Sequence, residues 1–306
     1  MNVLNFYTSL YGALYNRRWL YPRMLSPLRF VVRKLANYQI PSYLSKGCSK
    51  IKGERYDGLI VSFTSFPARI DKVWMVVECL KRQTVLPEKI ILWLSKEQFP
   101  LTNSIPTSLQ KRTDDLFEIR MVDGDLKSHK KYYYTVQQYP DKLILLIDDD
   151  IFYPTTMIEE MMKAHSLYPD AIICRYGYQM TYSEDHRLKN YKEWKMIPSS
   201  YKGRDFFFGS GGGTLIQPQK MYKDIANKEL FVQLTPTADD VWLNSMALIN
   251  KVDIIKLSMG LVCPILQKGN NKTLSSENKD AGQNDVQISN VVTYYQNQKV
   301  HHPFNL

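Results

Sequence analysis

The sequence lacks the features that mark several common classes of protein. Its four cysteines are widely spaced and form no CxxC pair, which argues against a zinc finger or a disulfide framework and favours a reducing cytoplasm. No apolar run reaches the ~18 residues that a membrane-spanning helix requires. Internal repeats and low-complexity tracts are absent too, and 44% of the 306 residues are hydrophobic, so we expect a substantial folded core.

Acidic residues are missing from residues 1–50, which contain eight lysines and arginines. That segment accounts for +8 of the net charge of +10, so the rest of the chain is nearly neutral. A basic surface over the whole protein, as a nucleic-acid partner would require, is therefore not expected.

Aromatic residues accompany the basic ones in this segment, among them Tyr7, Tyr11, Tyr15, Trp19 and Tyr21. Aromatic and basic side chains together suit the headgroup region of an anionic membrane. We therefore expect residues 1–54 to form an N-terminal segment that contacts a membrane surface, with the protein peripheral at the inner face of the cell membrane. The alternative is a helical extension that packs on the main domain and turns its basic side to water.

From Gly58 onward, strand patterns alternate with helix patterns. Branched and aromatic runs predict strands at 59–64, 89–95, 117–122, 143–147 and 171–174. Apolar residues at helical spacing predict helices at 71–82, 130–139, 155–167 and 239–249. This alternation predicts an α/β domain over residues 55–306, with a Rossmann-type, mostly parallel sheet flanked by helices.

The C-terminal half of the chain is less regular. Residues 176–205 are rich in Tyr, Lys and Trp without a clear period, and we expect long loops over a site there, in which Trp194 is a candidate to stack on a sugar ring. The polar, Asn- and Gln-rich segment 268–298 is expected to be irregular.

Three consecutive aspartates, Asp148, Asp149 and Asp150, directly follow the apolar run 143–147. Five branched aliphatic residues in a row are typical of a strand buried on both faces, and ligands bind at the carboxyl ends of strands in open α/β sheets. Carboxylates that close together repel one another, and a hard divalent cation would relieve that repulsion. The triplet therefore indicates either a metal site or a solvated acidic turn at the end of the strand.

The order of several motifs resembles the nucleotide-sugar glycosyltransferases of the GT-A fold, in particular bacterial enzymes that build surface polysaccharides such as capsule and lipopolysaccharide. The aspartate triplet after its strand resembles the DxD site of that family. The similarity covers about residues 58–296, and the further segments that match are 62–70, Cys79 with Leu80 and Gln83, 92–95, 211–215, 239–243 and 284–287.

The resemblance implies that Mn²⁺ or Mg²⁺ bridges the donor phosphates and makes the nucleoside diphosphate a better leaving group. Asp150 would be the direct metal ligand, and Asp148 would address the metal through a bound water or contact the ribose. The role of Asp149 stays open, as does the question of whether His301 or His302 joins the metal site.

Donor binding is implied for seven residues: Thr64, Arg69, Lys131, Asp148, Asp149, Gly212 and Gly213. Glycines let a backbone approach a sugar or phosphate closely. For the glycines the alternative is a tight turn between strands. For Arg69 and Lys131 it is a solvated surface cation.

Asp239 and Asp240 precede an apolar-periodic stretch, which places them at a helix N-terminus, where the helix dipole favours an ionised carboxylate. The resemblance implies that one of them is the general base that takes the acceptor hydroxyl proton, and we favour Asp240. Asp is also among the best N-cap residues, so a plain cap is the alternative. An inverting reaction is inferred from this pair alone.

These expectations describe a metal-dependent glycosyltransferase with a GT-A-like fold. It would move a sugar from a nucleotide-diphosphate donor, a UDP-sugar in the first instance, to a surface glycan or glycolipid acceptor. Two alternatives stay open. Carboxylate-bound metal also serves nucleotidyltransferases and phosphohydrolases, and the domain could instead be a non-catalytic module that binds glycans or membranes.

Overall fold

The computed structural model describes residues 1–16, 22–47, 53–101, 104–258, 263–267, 282–300 and 304. Four residues named above, Trp19, Tyr21, His301 and His302, lie outside this set. The described chain has the predicted α/β fold, in which a large sheet is flanked by helices.

Ten strands are formed by the described residues. They are β1 (Glu54–Thr64), β2 (Val85–Ser95), β3 (Phe117–Val122), β4 (Leu143–Ile147), β5 (Ile172–Cys174), β6 (Gly177–Gln179), β7 (Tyr201–Gly203), β8 (Phe206–Phe208), β9 (Gly212–Ile216) and β10 (Ile254–Lys256). Eight of them form one sheet in the order β3-β2-β1-β4-β9-β5-β10-β7, and β6 pairs with β8 separately.

The large sheet is mostly parallel, as predicted. β1 pairs in parallel with both β2 and β4, β2 with β3, and β5 with β10. β9 is inserted antiparallel between β4 and β5, and β7 pairs antiparallel with β10. Because β9 runs against β4, the start of β9 lies at the same edge of the sheet as the end of β4. This reversal brings residues 210–211 to the aspartate triplet.

Nine α-helices lie in the described ranges: α1 (Val3–Asn16), α2 (Pro22–Ser45), α3 (Val73–Leu80), α4 (Thr107–Gln110), α5 (Lys130–Gln138), α6 (Met157–Leu167), α7 (Lys228–Leu234), α8 (Asp239–Ile249) and α9 (Gln283–Asn297). They cover both faces of the sheet. In β4, Leu145 and Ile147 belong to the core that contains α3 and α6, while Ile144 and Leu146 belong to the core that contains α5 and α8. Burial on both faces explains why this strand is apolar throughout.

The expectation of an irregular segment at 268–298 is wrong for its second part, which forms α9. Ile288, Val291 and Tyr295 of this helix are buried in the core that also contains α8. Their spacing of three and four residues is a helical signal. It is easily missed because the helix also contains many Asn, Gln, Ser and Thr residues.

The expectation that Trp194 stacks on a sugar is also wrong. This side chain is buried, packs against Tyr191 and Phe207, and donates its indole N–H to the Lys189 carbonyl at 2.9 Å. Residues 176–205 do form long connections, but two short strands and a 3₁₀ turn at Tyr191–Glu193 lie within them.

The first two helices pack on the domain through one face each. Leu4, Tyr7 and Tyr11 of α1 are buried together with the apolar residues of β1, α3 and α6. The buried residues of α2 recur every four positions and comprise Val32, Ala36, Ile40 and Leu44. Neither helix, nor any other in the described ranges, has the length and apolarity needed to cross a bilayer.

Two asparagines link this pair of helices to two segments that lie next to the aspartate triplet. Asn5 exchanges two hydrogen bonds with Thr155, at 2.8 and 2.9 Å. Asn37 donates to the Pro264 carbonyl at 2.9 Å and accepts from the Leu266 amide at 2.8 Å. The neighbouring Ile265 amide donates to the Asp150 carbonyl at 2.7 Å. The N-terminal helices thus support the backbone on which the aspartates lie.

The packing of α9 gives a direct stability prediction. Ile288→Ala removes a buried side chain and should lower the free energy of unfolding by about 2–5 kcal/mol, the usual cost of such a truncation. Val286→Ala, at an exposed position of the same helix, should change it by no more than about 0.5 kcal/mol. Urea titration followed by circular dichroism measures both. Equal effects would contradict the docking of α9.

Candidate active site

Three strand ends and two helix starts meet at one edge of the sheet. The carboxyl ends of β1 and β4 lie beside the start of β9, and the first turns of α5 and α8 face them. Together they enclose a cavity of about 600 Å³. Its lining includes most of the predicted site residues, namely Thr64, Arg69, Lys131, Asp148, Asp149, Asp150, Asp239 and Asp240.

Arg69 holds two members of the aspartate triplet. Its guanidinium Nη1 lies 2.9 Å from Asp149 Oδ1 and 2.9 Å from Asp150 Oδ2. The Ser65 hydroxyl donates to the other oxygen of Asp149 at 2.5 Å. Burial, followed by the charge of Asp149, raises the pKa of Asp150 to about 7. Arg69 therefore does not outweigh the cost of ionising this buried carboxyl group.

Lys131 links the triplet to the second acidic pair. Its ammonium lies 2.9 Å from Asp239 Oδ2 and 3.3 Å from Asp148 Oδ1. Burial would lower the pKa of Lys131, but the two carboxylates outweigh burial and raise it. The solvated lysine considered from the sequence is thus a buried cation that joins two parts of the site.

The two aspartates at the start of α8 have opposite electrostatic environments. Burial would raise the pKa of Asp239, but Lys131 outweighs that effect and lowers the pKa to about 2. Burial and the neighbouring charge of Asp239 raise the pKa of Asp240 to about 6. Lys131 therefore keeps Asp239 anionic, whereas the pKa of Asp240 lies close to the range that suits a general base.

Ser210, which sequence reasoning did not select, connects this pair. Its hydroxyl lies 2.8 Å from Asp239 Oδ2 and 2.5 Å from Asp240 Oδ1, and its backbone amide donates to the same Asp240 oxygen at 2.8 Å. The N-cap residue of α8 is Ala238, and Asp239 and Asp240 lie in the first turn, so neither aspartate is the N-cap that the alternative assumed.

Gly211 lines the cavity at a position where a side chain would collide with Asp148. A Cβ atom on it would lie 1.9 Å from the Asp148 carboxylate, and its carbonyl accepts from the Asp148 amide at 2.7 Å. Gly212 and Gly213 lie inside β9, where an added Cβ would meet Tyr176 and Arg175 respectively, and neither is among the residues lining the cavity. Their role in donor binding stays a prediction.

Thr64 lies at the cavity wall, but its hydroxyl donates to the Trp93 carbonyl at 2.8 Å. Across the cavity, the lining also includes Tyr176 and Tyr191, which sequence reasoning did not select, and Asn284 from the matching segment 284–287. Asn284 comes from the first turn of α9, whose existence was not predicted. Tyr176 and Tyr191 come from the segment 176–205, where a loop over the site was expected.

The side chains that line the cavity meet only part of what a divalent cation requires. Six carboxylates line the cavity together with four cationic side chains, Arg69, Lys127, Lys130 and Lys131, so negative charge is in excess. Yet no group of three or more His, Cys, Asp or Glu side chains in the described ranges is arranged to hold a metal by itself. Asp150 and Asp148 are the side chains that could hold such a cation, and its other ligands would have to come from another molecule.

Comparison with known proteins identifies no family. No protein-family model matches the chain, and no curated protein matches it in sequence. Among solved structures, HddC from Yersinia pseudotuberculosis in complex with GMP-PN is 14% identical over 54% of this chain and 78% of that one, with a TM-score of 0.33. UDP-glucose pyrophosphorylase in complex with UDP-glucose is 11% identical over 80% and 99%, with a TM-score of 0.40. Similarity this low does not indicate what this chain does.

The hydrogen bond from Ser210 should tune Asp240. Ser210→Ala removes the hydroxyl while the backbone amide remains, so we expect the pKa of Asp240 to rise by about one unit, since a hydrogen bond to a charged group contributes ~1.5–3 kcal/mol. Carboxyl ¹³C NMR titration measures it, with Asp240→Asn used to assign the signal. Thr214→Val removes a nearby buried hydroxyl that bonds the Gly209 carbonyl instead, and should leave the titration unchanged. An unmoved midpoint in Ser210→Ala would contradict the assignment.

Proposed function

We propose that this protein is a metal-dependent enzyme that uses a nucleotide sugar and transfers its glycosyl group to a hydroxyl of a surface glycan or glycolipid. One observation supports this most strongly. The cavity at the end of β4 contains more carboxylates than cations. One of these carboxylates, Asp240, has a pKa of about 6, which suits a base at neutral pH.

The triplet would receive the donor. Asp150, with Asp148, would hold Mn²⁺ or Mg²⁺, and the metal would neutralise the charge that accumulates on the departing diphosphate. Arg69 holds Asp149 and Asp150 against their mutual repulsion before any ligand binds. A pre-arranged site of this kind does not have to reorganise during the reaction.

Asp240 would receive the proton of the acceptor hydroxyl. The hydrogen bonds that the structure records to its carboxylate both go to Oδ1, from Ser210, so Oδ2 has no recorded protein partner in the described chain. Asp239 would act as the anchor of Lys131 rather than as a base, because its pKa is far below neutrality. A single base acting on the acceptor fits direct displacement, which inverts the sugar carbon.

Nucleotidyl transfer is the second candidate. Two-metal chemistry needs a further set of carboxylates near the first, and Asp239 with Asp240 lines the same cavity as the triplet. The carboxylates alone therefore do not separate the two reactions. The need for a base does separate them. In nucleotidyl transfer the nucleophile is an anionic phosphate that has no proton to lose, so Asp240 would not be needed as a base.

Removal of one carboxylate tests the donor site. Asp150→Asn should abolish metal-dependent binding of the nucleotide sugar while the protein stays folded, because the direct metal ligand is lost. Isothermal calorimetry with and without Mn²⁺ measures the binding. Asp57→Asn, an equal charge change at an exposed position of β1, is the control. Undiminished donor affinity in Asp150→Asn would exclude the triplet as the metal site.

The base has its own prediction. Asp240→Asn should preserve donor binding and lower turnover ~10²–10⁴-fold, the usual size of general-base catalysis. In the wild type, turnover at saturating donor and metal should rise as pH increases through about 6, because only ionised Asp240 accepts a proton. The rise should vanish from the residual activity of the variant. If Asp239→Asn shows this behaviour instead, our choice within the pair is wrong.

Product analysis distinguishes the two candidate reactions. Glycosyl transfer releases a nucleoside diphosphate and leaves a lengthened acceptor, whereas nucleotidyl transfer in the synthetic direction releases pyrophosphate. Coupled assays for each product, with the purified protein and nucleotide-sugar or nucleoside-triphosphate substrates, give a clear answer. Pyrophosphate release that depends on Asp150 but not on Asp240 would replace our proposal with the second candidate.

A further inference from the structure

The outer face of α2 bears an unusual row of exposed apolar side chains. Five of them, at positions separated by four, three, four and three residues, are between 44% and 79% exposed: Met24, Leu28, Val31, Leu35 and Tyr38. This spacing puts them in one stripe along the helix. The inner face of the same helix is already buried on the domain, so the stripe does not contribute to the core.

The charged side chains of the N-terminal segment that carries this stripe are all basic. Residues 1–50 contain no Asp or Glu, and exposed Arg23 and Lys34 lie on α2 itself, with exposed Lys46 just after it. Phe30, also exposed, lies under the cationic groups of Arg33 and Lys34, each 5.5 Å from the ring centroid. Aromatic and aliphatic groups framed by cations match the boundary between lipid headgroups and acyl chains.

We propose that the α2 stripe is a docking surface for an anionic phospholipid membrane. A second copy of this chain is the obvious competitor, because a heptad-like stripe also suits helix pairing. Self-association would bring two sets of basic residues together with no acid in either segment to pair with them. An anionic bilayer instead neutralises the basic residues while the apolar side chains enter it. This surface does not depend on which reaction the cavity catalyses.

Vesicle co-sedimentation tests the stripe. The full chain should sediment with phosphatidylcholine vesicles that contain phosphatidylglycerol, much less with pure phosphatidylcholine, and less as salt screens the charges. The triple variant Leu28→Gln, Val31→Gln, Leu35→Gln should bind at least tenfold more weakly. A matched variant changes exposed apolar residues elsewhere, Leu167, Val232 and Val286, to Gln and should bind like the wild type.

Charge is tested separately. Replacement of Arg23, Lys34 and Lys46 by Ser should weaken binding by about fivefold or more per residue removed, from the usual contribution of a basic residue at an anionic surface. Replacement of exposed Lys111, Lys228 and Lys299 by Ser removes the same charge elsewhere and should have little effect.

Three results would overturn the proposal. The first is no sedimentation of the wild type with anionic vesicles, and the second is equal binding by the stripe variant and its control. The third is a dimer, seen by light scattering, that the stripe substitutions dissociate while lipid does not bind. That last result would assign the face to a second copy. Because all substituted positions are exposed, unchanged thermal unfolding should confirm that each variant is folded.

Discussion

The concentration of carboxylates at one edge of the sheet is the constraint on which the rest of the site depends. Asp148–Asp150 and the pair Asp239–Asp240 share a cavity, and their mutual repulsion is offset by Arg69, Lys131 and hydroxyl donors. Burial and the charge of Asp149 together outweigh Arg69 and raise the pKa of Asp150. We propose that a divalent cation, bound together with a nucleoside diphosphate, would complete the charge balance of this site.

The fold supplies this arrangement through a reversal in strand direction. If all strands ran in one direction, the segment before β9 would start at the opposite edge. With β9 antiparallel, Ser210 and Gly211 reach both acidic groups, and Gly211 leaves room for the Asp148 carboxylate. On the side of the N-terminal helices, Asn5 and Asn37 bond to Thr155 and Leu266, which lie in segments next to the triplet. Hydrogen bonds of these side chains thus connect the packed helices to the backbone of the site.

Sequence patterns were informative where a local rule applied. The apolar run before Asp148 predicted a strand buried on both faces, and the strand-end rule predicted its carboxylates at a cavity. The partners of those carboxylates could not be predicted, because the pairing of Lys131 with Asp239, or of Ser210 with Asp240, depends on sheet order and on the direction of β9. The helix α9 was missed because polar residues, mostly Asn and Gln, obscure the helical spacing of Ile288, Val291 and Tyr295. Gly212 was predicted to bind the donor, but it is Gly211 that leaves room for the Asp148 carboxylate. Which glycine does so depends on the register of β9 against β4, which three successive glycines do not specify.

The most direct test of the account is whether metal and nucleotide sugar stabilise the protein together. Thermal unfolding of the wild type should be followed with UDP-, GDP-, CMP- and dTDP-sugars, each with and without Mn²⁺. A donor at 100 times its Kd should add about 2.7 kcal/mol, which is readily visible as a higher Tm. We predict a shift that requires Mn²⁺ and one class of nucleotide. The absence of a shift with any donor, in the presence of metal, would contradict the assignment of this cavity.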